Sequence, residues 1–280
     1  MRYRFLRFPG GLGKAITLSY DDGCADDVRF CDRITEAGLK CTFNLTSRKM
    51  VDAIPPETIR EKFLKRGHEI AVHGAYHRAE GNVRAVEGIK DVLDCRLELE
   101  KEHGMIIRGM AFPDSGITLF NNGASYESIR NYLKELDIVY SRTLAGDNKK
   151  FTLPTDWYAW MPSAHHSNPE IFEYIEEFLN IDVSEKAYGA RRHPRLFYMW
   201  GHSFEFKDKW ELLDELCEKL GGHEDIWYAT NMEIYDYVTA YNSLVFSADG
   251  TIIYNPTLIK LWFDIDGKAY SINPGETLNI

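Results

Sequence analysis

The sequence is poor in the features of a disulfide scaffold, a membrane protein or a nucleic-acid binder. Its 280 residues include only 5 cysteines, Cys24, Cys31, Cys41, Cys95 and Cys217, which are widely spread and form no CxxC pair. That argues against a disulfide framework or a cysteine zinc centre and leaves buried free thiols as the expectation. No run approaches the roughly 18 uncharged apolar residues of a membrane-spanning helix. Positive charge is also in deficit: 33 Lys and Arg against 43 Asp and Glu give a net charge of −10. An electrostatically driven nucleic-acid partner or a polybasic membrane contact is therefore not expected. The N-terminal MRYRFLRFPGGLGK is cationic but lacks an apolar stretch of about 7–15 residues, so no signal peptide is expected. The chain is expected in the cytoplasm, or outside the cell if a leader has been removed.

The sequence does have the balance of a globular enzyme, 44% hydrophobic and 27% charged. A single α/β barrel can absorb about 250 residues. From residue 15 to about 240, short β-type runs alternate with helical patterns. AITLSY (15–20), CTFNL (41–45), HEIAVHG (68–74), GMAFP (109–113), IVYSR (138–142), LFYMWG (196–201) and a run at 226–229 read as strands. Helices are expected near 26–37, from Pro56 to Arg66, and at 82–102, 125–136, 169–180 and 232–241. In the long helix of residues 82–102, Val86, Ile89, Leu93 and Leu97 set the apolar face. Another helix follows Lys207, with Asp208 and Glu211 as its capping box and Leu213, Leu216, Cys217 and Leu220 on one face. Such alternation means parallel βαβ units, hence a doubly wound sheet or a (β/α) barrel. After residue 243, β runs punctuated by DG and PG turns predict an antiparallel appendage of residues 243–280 packed on a barrel of residues 1–242.

Three polar clusters stand at predicted C-terminal strand ends, where α/β barrels place their active sites. Asp21-Asp22-Gly23 follows AITLSY, and one carboxylate there can ligate a cation while the other handles a proton. His73 and His77 are spaced i, i+4, which on one helical turn presents two imidazoles to one metal. With Asp22 they make three protein ligands and leave room for water, the stoichiometry of a catalytic zinc site. His202, in FYMWGHSFEF, is placed to act as a general acid near neutral pH. Taken singly, a turn at Asp21–Gly23 and a packed structural histidine at 202 remain open readings. Adjacent His165 and His166 form a competing ligand pair, although neighbouring histidines seldom converge on one ion. In DWYAWMPSAHHSN (156–168), Trp157, Tyr158 and Trp160 are candidates to stack on sugar faces.

SYDDG, HGAYH, FPDSG (112–116) and the strand-end His202, in that order, resemble the polysaccharide deacetylases, NodB-like enzymes of carbohydrate esterase family 4. The resemblance covers about residues 15–240 and implies a distorted (β/α)7-type barrel. It also implies that Asp21 is the general base, that Asp22, His73 and His77 hold a divalent metal, zinc above others, and that His202 protonates the leaving amine. Pro113, Ser115, Asp156 and Trp157 fall at positions implied to face substrate. The implied activity is removal of an acetyl group from an N-acetylated carbohydrate. Hydrolysis of another small non-peptide C–N bond (allantoinase-like or deformylase-like) and a catalytically impaired carbohydrate-binding relative are the alternatives. Three departures mark a divergent branch. Phe112 stands where the family carries the arginine that pairs with the base, Ser115 where it carries tyrosine, and Gly74 where it carries serine or threonine. Arg142 and Arg108 are the candidates to supply the missing guanidinium. Glu205 does not follow His202 directly, as the family's acidic residue does.

Overall fold

Strand alternation decides which side chains meet inside a barrel, and the first long strand shows the rule. The protein is described by a computed structural model covering residues 3–48, 52–144, 146–147, 149–183 and 192–280. Strand β1 (Arg4–Arg7) precedes β2 (Lys14–Asp22). On β2, Ile16, Leu18 and Tyr20 join a core with Phe30, Cys31 and Ile34 of helix α1 (Asp26–Glu36). Thr17, Ser19 and Asp21 are buried on the opposite, inner face.

The remaining units follow in order. They are β3 (Cys41–Leu45), α2 (Pro56–Thr58), β4 (Glu69–Val72), α3 (Ala85–His103), β5 (Gly109–Ala111), α4 (Tyr126–Glu135) and β6 (Tyr140–Arg142). Next come β7 (Ala164–His165), α5 (Ile171–Leu179), β8 (Arg195–Gly201), α6 (Trp210–Leu220), β9 (Ile226–Tyr228) and α7 (Asn231–Asn242). Helix α2 runs on through a π-type turn to Phe63 and a 3-10 turn to Arg66, ending on left-handed Gly67. The parallel sheet has the order β6-β5-β4-β3-β2-β8-β7, with β9 paired to the first half of β2. It curls, and an isolated parallel bridge pairs Arg142 of β6 with Trp160, four residues before β7. The result is a curled half-barrel of eight strands, seven in line and β9 branching from β2, with helices outside, in keeping with the expected distorted (β/α)7-type barrel.

The C-terminal β runs form as the turn signals require: β10 (Val245–Phe246), β11 (Ile252–Tyr254), β12 (Leu261–Ile265), β13 (Lys268–Ile272) and β14 (Thr277–Asn279). Asp266 and Gly267, both at positive φ, turn β12 into β13. Strand β1, unforeseen in the cationic N-terminus, pairs antiparallel with β12. These strands pack with α7 and with Leu196 and Tyr198 of β8 in a second core. The five cysteines are buried and free. Among the described residues no helix is long and apolar enough to cross a membrane.

Two local expectations fail for identifiable reasons. On α3, Val86 and Leu97 are 63% and 56% exposed, and Leu93 is exposed as well. The buried face is instead Gly88, Asp91, Val92, Cys95 and Leu99. Gly88 sits where a side chain would collide with the Tyr132 hydroxyl of α4, and Asp91 accepts the Tyr76 amide at 2.8 Å. A small residue and a polar one thus occupy the interface, and an apolar count misreads it. Helix α6 starts at Trp210 without a side-chain cap, so Asp208 and Glu211 form no capping box; its buried face is as expected.

Candidate active site

The inner face of the barrel carries two layers of polar side chains. The lower layer is closed by the N-terminus of α7. Asn231 donates its amide to Thr42 Oγ1 (3.0 Å) and its side-chain Nδ2 to the Tyr198 hydroxyl (2.6 Å), while Thr17 Oγ1 donates to Asn231 Oδ1 (2.9 Å). Glu69 accepts from Thr42 Oγ1, the Tyr140 hydroxyl and the Met232 amide at 2.7, 2.6 and 2.9 Å. Burial pushes the Glu69 carboxyl up to about 7, against the pull of these three donors.

The upper layer is built around Asp21. Asn44, its neighbour in register on β3, donates Nδ2 to Asp21 Oδ1 at 2.8 Å. Arg142 Nη2 donates to the other carboxylate oxygen, and both residues are buried. The guanidinium lies 4.3 Å over the Trp200 ring. Arg142, one strand over from Phe112, therefore supplies the cation that position 112 lacks. Phe112 is in the outer core, and Arg108 pairs with Asp137 on the surface.

Asp22, His73 and His77 converge beside this pair. Asp22 Oδ1 lies 3.6 Å from His73 Nε2 and 3.3 Å from His77 Nε2, and the two rings are 4.8 Å apart. His73 Nε2 is also 3.8 Å from Asp21 Oδ2. His73 Nδ1 lies 2.9 Å from the Ala111 carbonyl, a contact that fixes the proton on Nδ1 and turns the Nε2 lone pair towards Asp22. Burial opposes the charge of Asp22, but the His77 hydrogen bond and the His73 and His202 charges together hold its carboxyl well below the usual range. The same hydrogen bond raises His77, whereas burial lowers His73.

The i, i+4 spacing does not act through a helical turn. Residues 73–79 are non-helical, with Gly74 and His77 at φ +74° and +53°. Asp22 is also left-handed at φ +82°, so two of the three converging residues sit in backbone that L-residues rarely adopt. Asp91 of α3 pins this loop through the Tyr76 amide, and a side chain at 74 would overlap the Asp91 carboxylate. That explains glycine at position 74.

His202 follows β8 and begins a 3-10 turn, its backbone amide donating to Glu205 Oε2 (3.2 Å). Its Nδ1 is 3.7 Å from the same oxygen. Burial works against an imidazolium here, yet Glu205 and the carboxylates of Asp21 and Asp22 outweigh it and raise the His202 pKa. His165 and His166 also converge on Glu205, whose carboxyl they and His202 hold well below its ordinary value despite the cost of burial. Burial brings His166 down to about 3.

The remaining expected positions divide. Ser115 lies in a tight turn after β5, its Oγ accepting from Asn82 (2.6 Å), and Pro113 closes that turn through Gly116. Asp114 of this turn helps raise His77, so the turn flanks the cluster. Asp156 and Trp157 are not brought to it. Asp156 accepts from the Tyr126 hydroxyl of α4 at 2.6 Å, and Trp157 packs edge-on against Trp160 and Tyr235 of α7. Trp160 is 1% exposed between Tyr140 and Tyr198, so it has no face free for a sugar. Asn44 and Asp91 were missed; the alternation of CTFNL, which turns Thr42 and Asn44 to one face, is the signal that finds Asn44.

Residues 9–140 match the family model described as polysaccharide deacetylase. No curated protein matches the chain. Among solved structures, a Mycobacterium smegmatis protein assigned to the polysaccharide deacetylases is 17% identical, covering 85% of this chain and 94% of that one with a TM-score of 0.54. The peptidoglycan deacetylase PdaC of Bacillus subtilis is 16% identical, with coverage of 82% and 94% and a TM-score of 0.51. The match to the Streptococcus pyogenes deacetylase PplD is shorter, covering 46% of this chain and 55% of that one at 14% identity and a TM-score of 0.40. At such identities the structural likeness speaks for the fold, and the matched sequence segment carries SYDDG, HGAYH and FPDSG. Residues 9–140, a little under half of the chain, thus match the polysaccharide deacetylase family, a family of hydrolases, and the fold around them is the one its solved members share.

Proposed function

We propose that the protein is a metal-dependent hydrolase that removes the acetyl group from an N-acetylated carbohydrate. The observation that carries this reading is the placement of three clusters at one mouth of the barrel: the Asp22–His73–His77 group, the Asp21–Arg142 pair and His202. The donor set fits a catalytic zinc ion, with two imidazoles and one carboxylate as protein ligands. When bound, such a cation supplies Lewis acidity to the acyl carbonyl and makes water more acidic.

The chain's own groups then divide the proton work. Asp21 takes the proton of the attacking water; Arg142 and Asn44 each hold one of its oxygens and so fix its orientation. The hydroxyl joins the acyl carbon, the C–N bond breaks, and His202 gives its Nε2 or Nδ1 proton to the departing nitrogen. The carboxylates of Glu205, Asp21 and Asp22 favour the imidazolium that this step requires. The turn of Pro113 and Ser115 borders the substrate. Residues 243–280 serve as a β cover on a barrel of residues 1–242.

The test is acetate release from N-acetylated sugar oligomers by zinc-loaded protein. Zinc-dependent acetate release supports the reading. Bound zinc without acetate release overturns the carbohydrate assignment in favour of another small C–N substrate.

A further inference from the structure

His165, His166 and Glu205 form a group outside the Asp22–His73–His77 cluster, of which the deacetylation reading uses only the Glu205 charge beside His202. His165 Nε2 and His166 Nε2 both lie 3.2 Å from the same carboxylate oxygen, Glu205 Oε2. The edge of a coordination tetrahedron with bonds of about 2.0–2.1 Å is about 3.3 Å. The Asp22–His77 pair, at 3.3 Å, shows this same edge.

Two further observations point to a ligand rather than to a packed ion pair. His166 is wholly buried, and its Nε2 faces Glu205 with no hydrogen-bond partner among the described residues. Its Nδ1 lies 3.2 Å from the Tyr20 hydroxyl, an outer partner able to hold the proton on Nδ1. The chain also gives up a side chain for this imidazole: a Cβ at Gly201 would overlap His166 Nδ1. His165 Nδ1 lies 2.7 Å from Ser167 Oγ, and donation to that oxygen frees its Nε2 in the same way. The opposite tautomer, with Nδ1 accepting from the Ser167 amide at 3.1 Å, makes His165 a plain donor to Glu205. The two tautomers predict different metal contents.

We propose that His165, His166 and Glu205 form a second divalent-cation site, zinc-selective by its two imidazoles and one carboxylate, at the ends of β7 and β8 next to His202. His202 lies within electrostatic reach of both groups, of Asp21 and Asp22 as well as of Glu205. The adjacent histidines of β7 reach one ion because β7 ends there: His165 pairs with Trp200 as the last strand residue, and the chain then turns at Ser167.

Zinc titration of the metal-free full chain, followed by metal analysis after desalting, tests this. Wild type is expected to hold two equivalents. His165→Ala and Glu205→Gln, both at partly exposed positions, should each hold one, and His73→Ala should hold the other one. Far-UV circular dichroism checks that each variant is folded. A wild-type stoichiometry of one that disappears in His73→Ala, or two equivalents retained in both His165→Ala and Glu205→Gln, overturns the second site. A single equivalent lost in His165→Ala but kept in His73→Ala supports it and instead overturns the first.

Discussion

The barrel holds two polar layers, and they differ in how completely they satisfy themselves. In the floor, Thr17, Thr42, Glu69, Tyr140, Tyr198 and Asn231 meet one another's hydrogen-bonding needs, and the α7 N-terminus supplies two amides to close the set. At the mouth, buried polar atoms are left over: among the described residues, Arg142 Nε and Nη1, His166 Nε2 and His202 Nδ1 have no hydrogen-bond partner. Unpaired buried polar groups cost about 1–3 kcal/mol each. A fold tolerates that cost where a ligand or substrate completes the arrangement. On the proposed reading the floor is architecture and the mouth is the site, although both consist of the same kinds of residue.

Substitutions at the mouth should therefore abolish function, and those in the floor should change only stability. The largest effect is expected for His73→Ala, which should lose the first metal equivalent and reduce acetate release to background, read by metal analysis beside the assay. His202→Ala should keep that metal and lower kcat by about 10²–10⁴-fold, the usual worth of a general acid. Loss of metal in this variant would show that His202 supports the ligands instead. Arg142→Met leaves the buried Asp21 without its cation and should destabilise the fold by about 3–5 kcal/mol in chemical denaturation.

The smallest effect, in the floor, depends on pH. Glu69 binds its proton more tightly in the folded protein, with a pKa of about 7 against 4.5 for an ordinary glutamate. Its contribution to stability is thus full below about pH 4.5 and is lost as pH rises towards 7, by about 3 kcal/mol in total. Glu69→Gln should remove that slope between pH 5 and 8 in urea melts while acetate release persists. A slope unchanged by the substitution would show that Glu69 is ionised throughout.

The sequence makes the strand ends legible because each motif sits where an apolar run stops. SYDDG, HGAYH and the His202 segment announce themselves in that way. Period-2 alternation also places Tyr140 and Arg142 of IVYSR on one face. It does not say that Arg142 falls opposite Asp21, because register across four strands depends on shear and closure rather than on local pattern. His73 and His77 do come together, by a route other than the expected one: left-handed backbone at Gly74 and His77 brings the rings near each other, and helical spacing is incidental. The face of α3 was hidden because Gly88 and Asp91 serve neighbours, Tyr132 and the 74–77 loop, that lie far away in sequence. Strand β1 is invisible for a similar reason, since its partner β12 lies some 260 residues further along the chain.

The most direct test of the central claim is anomalous diffraction at the zinc edge from a zinc-loaded crystal. The account predicts a peak about 2.0–2.2 Å from Asp22 Oδ1, His73 Nε2 and His77 Nε2 together. Zinc in the crystal with no peak shared by these three atoms would contradict it.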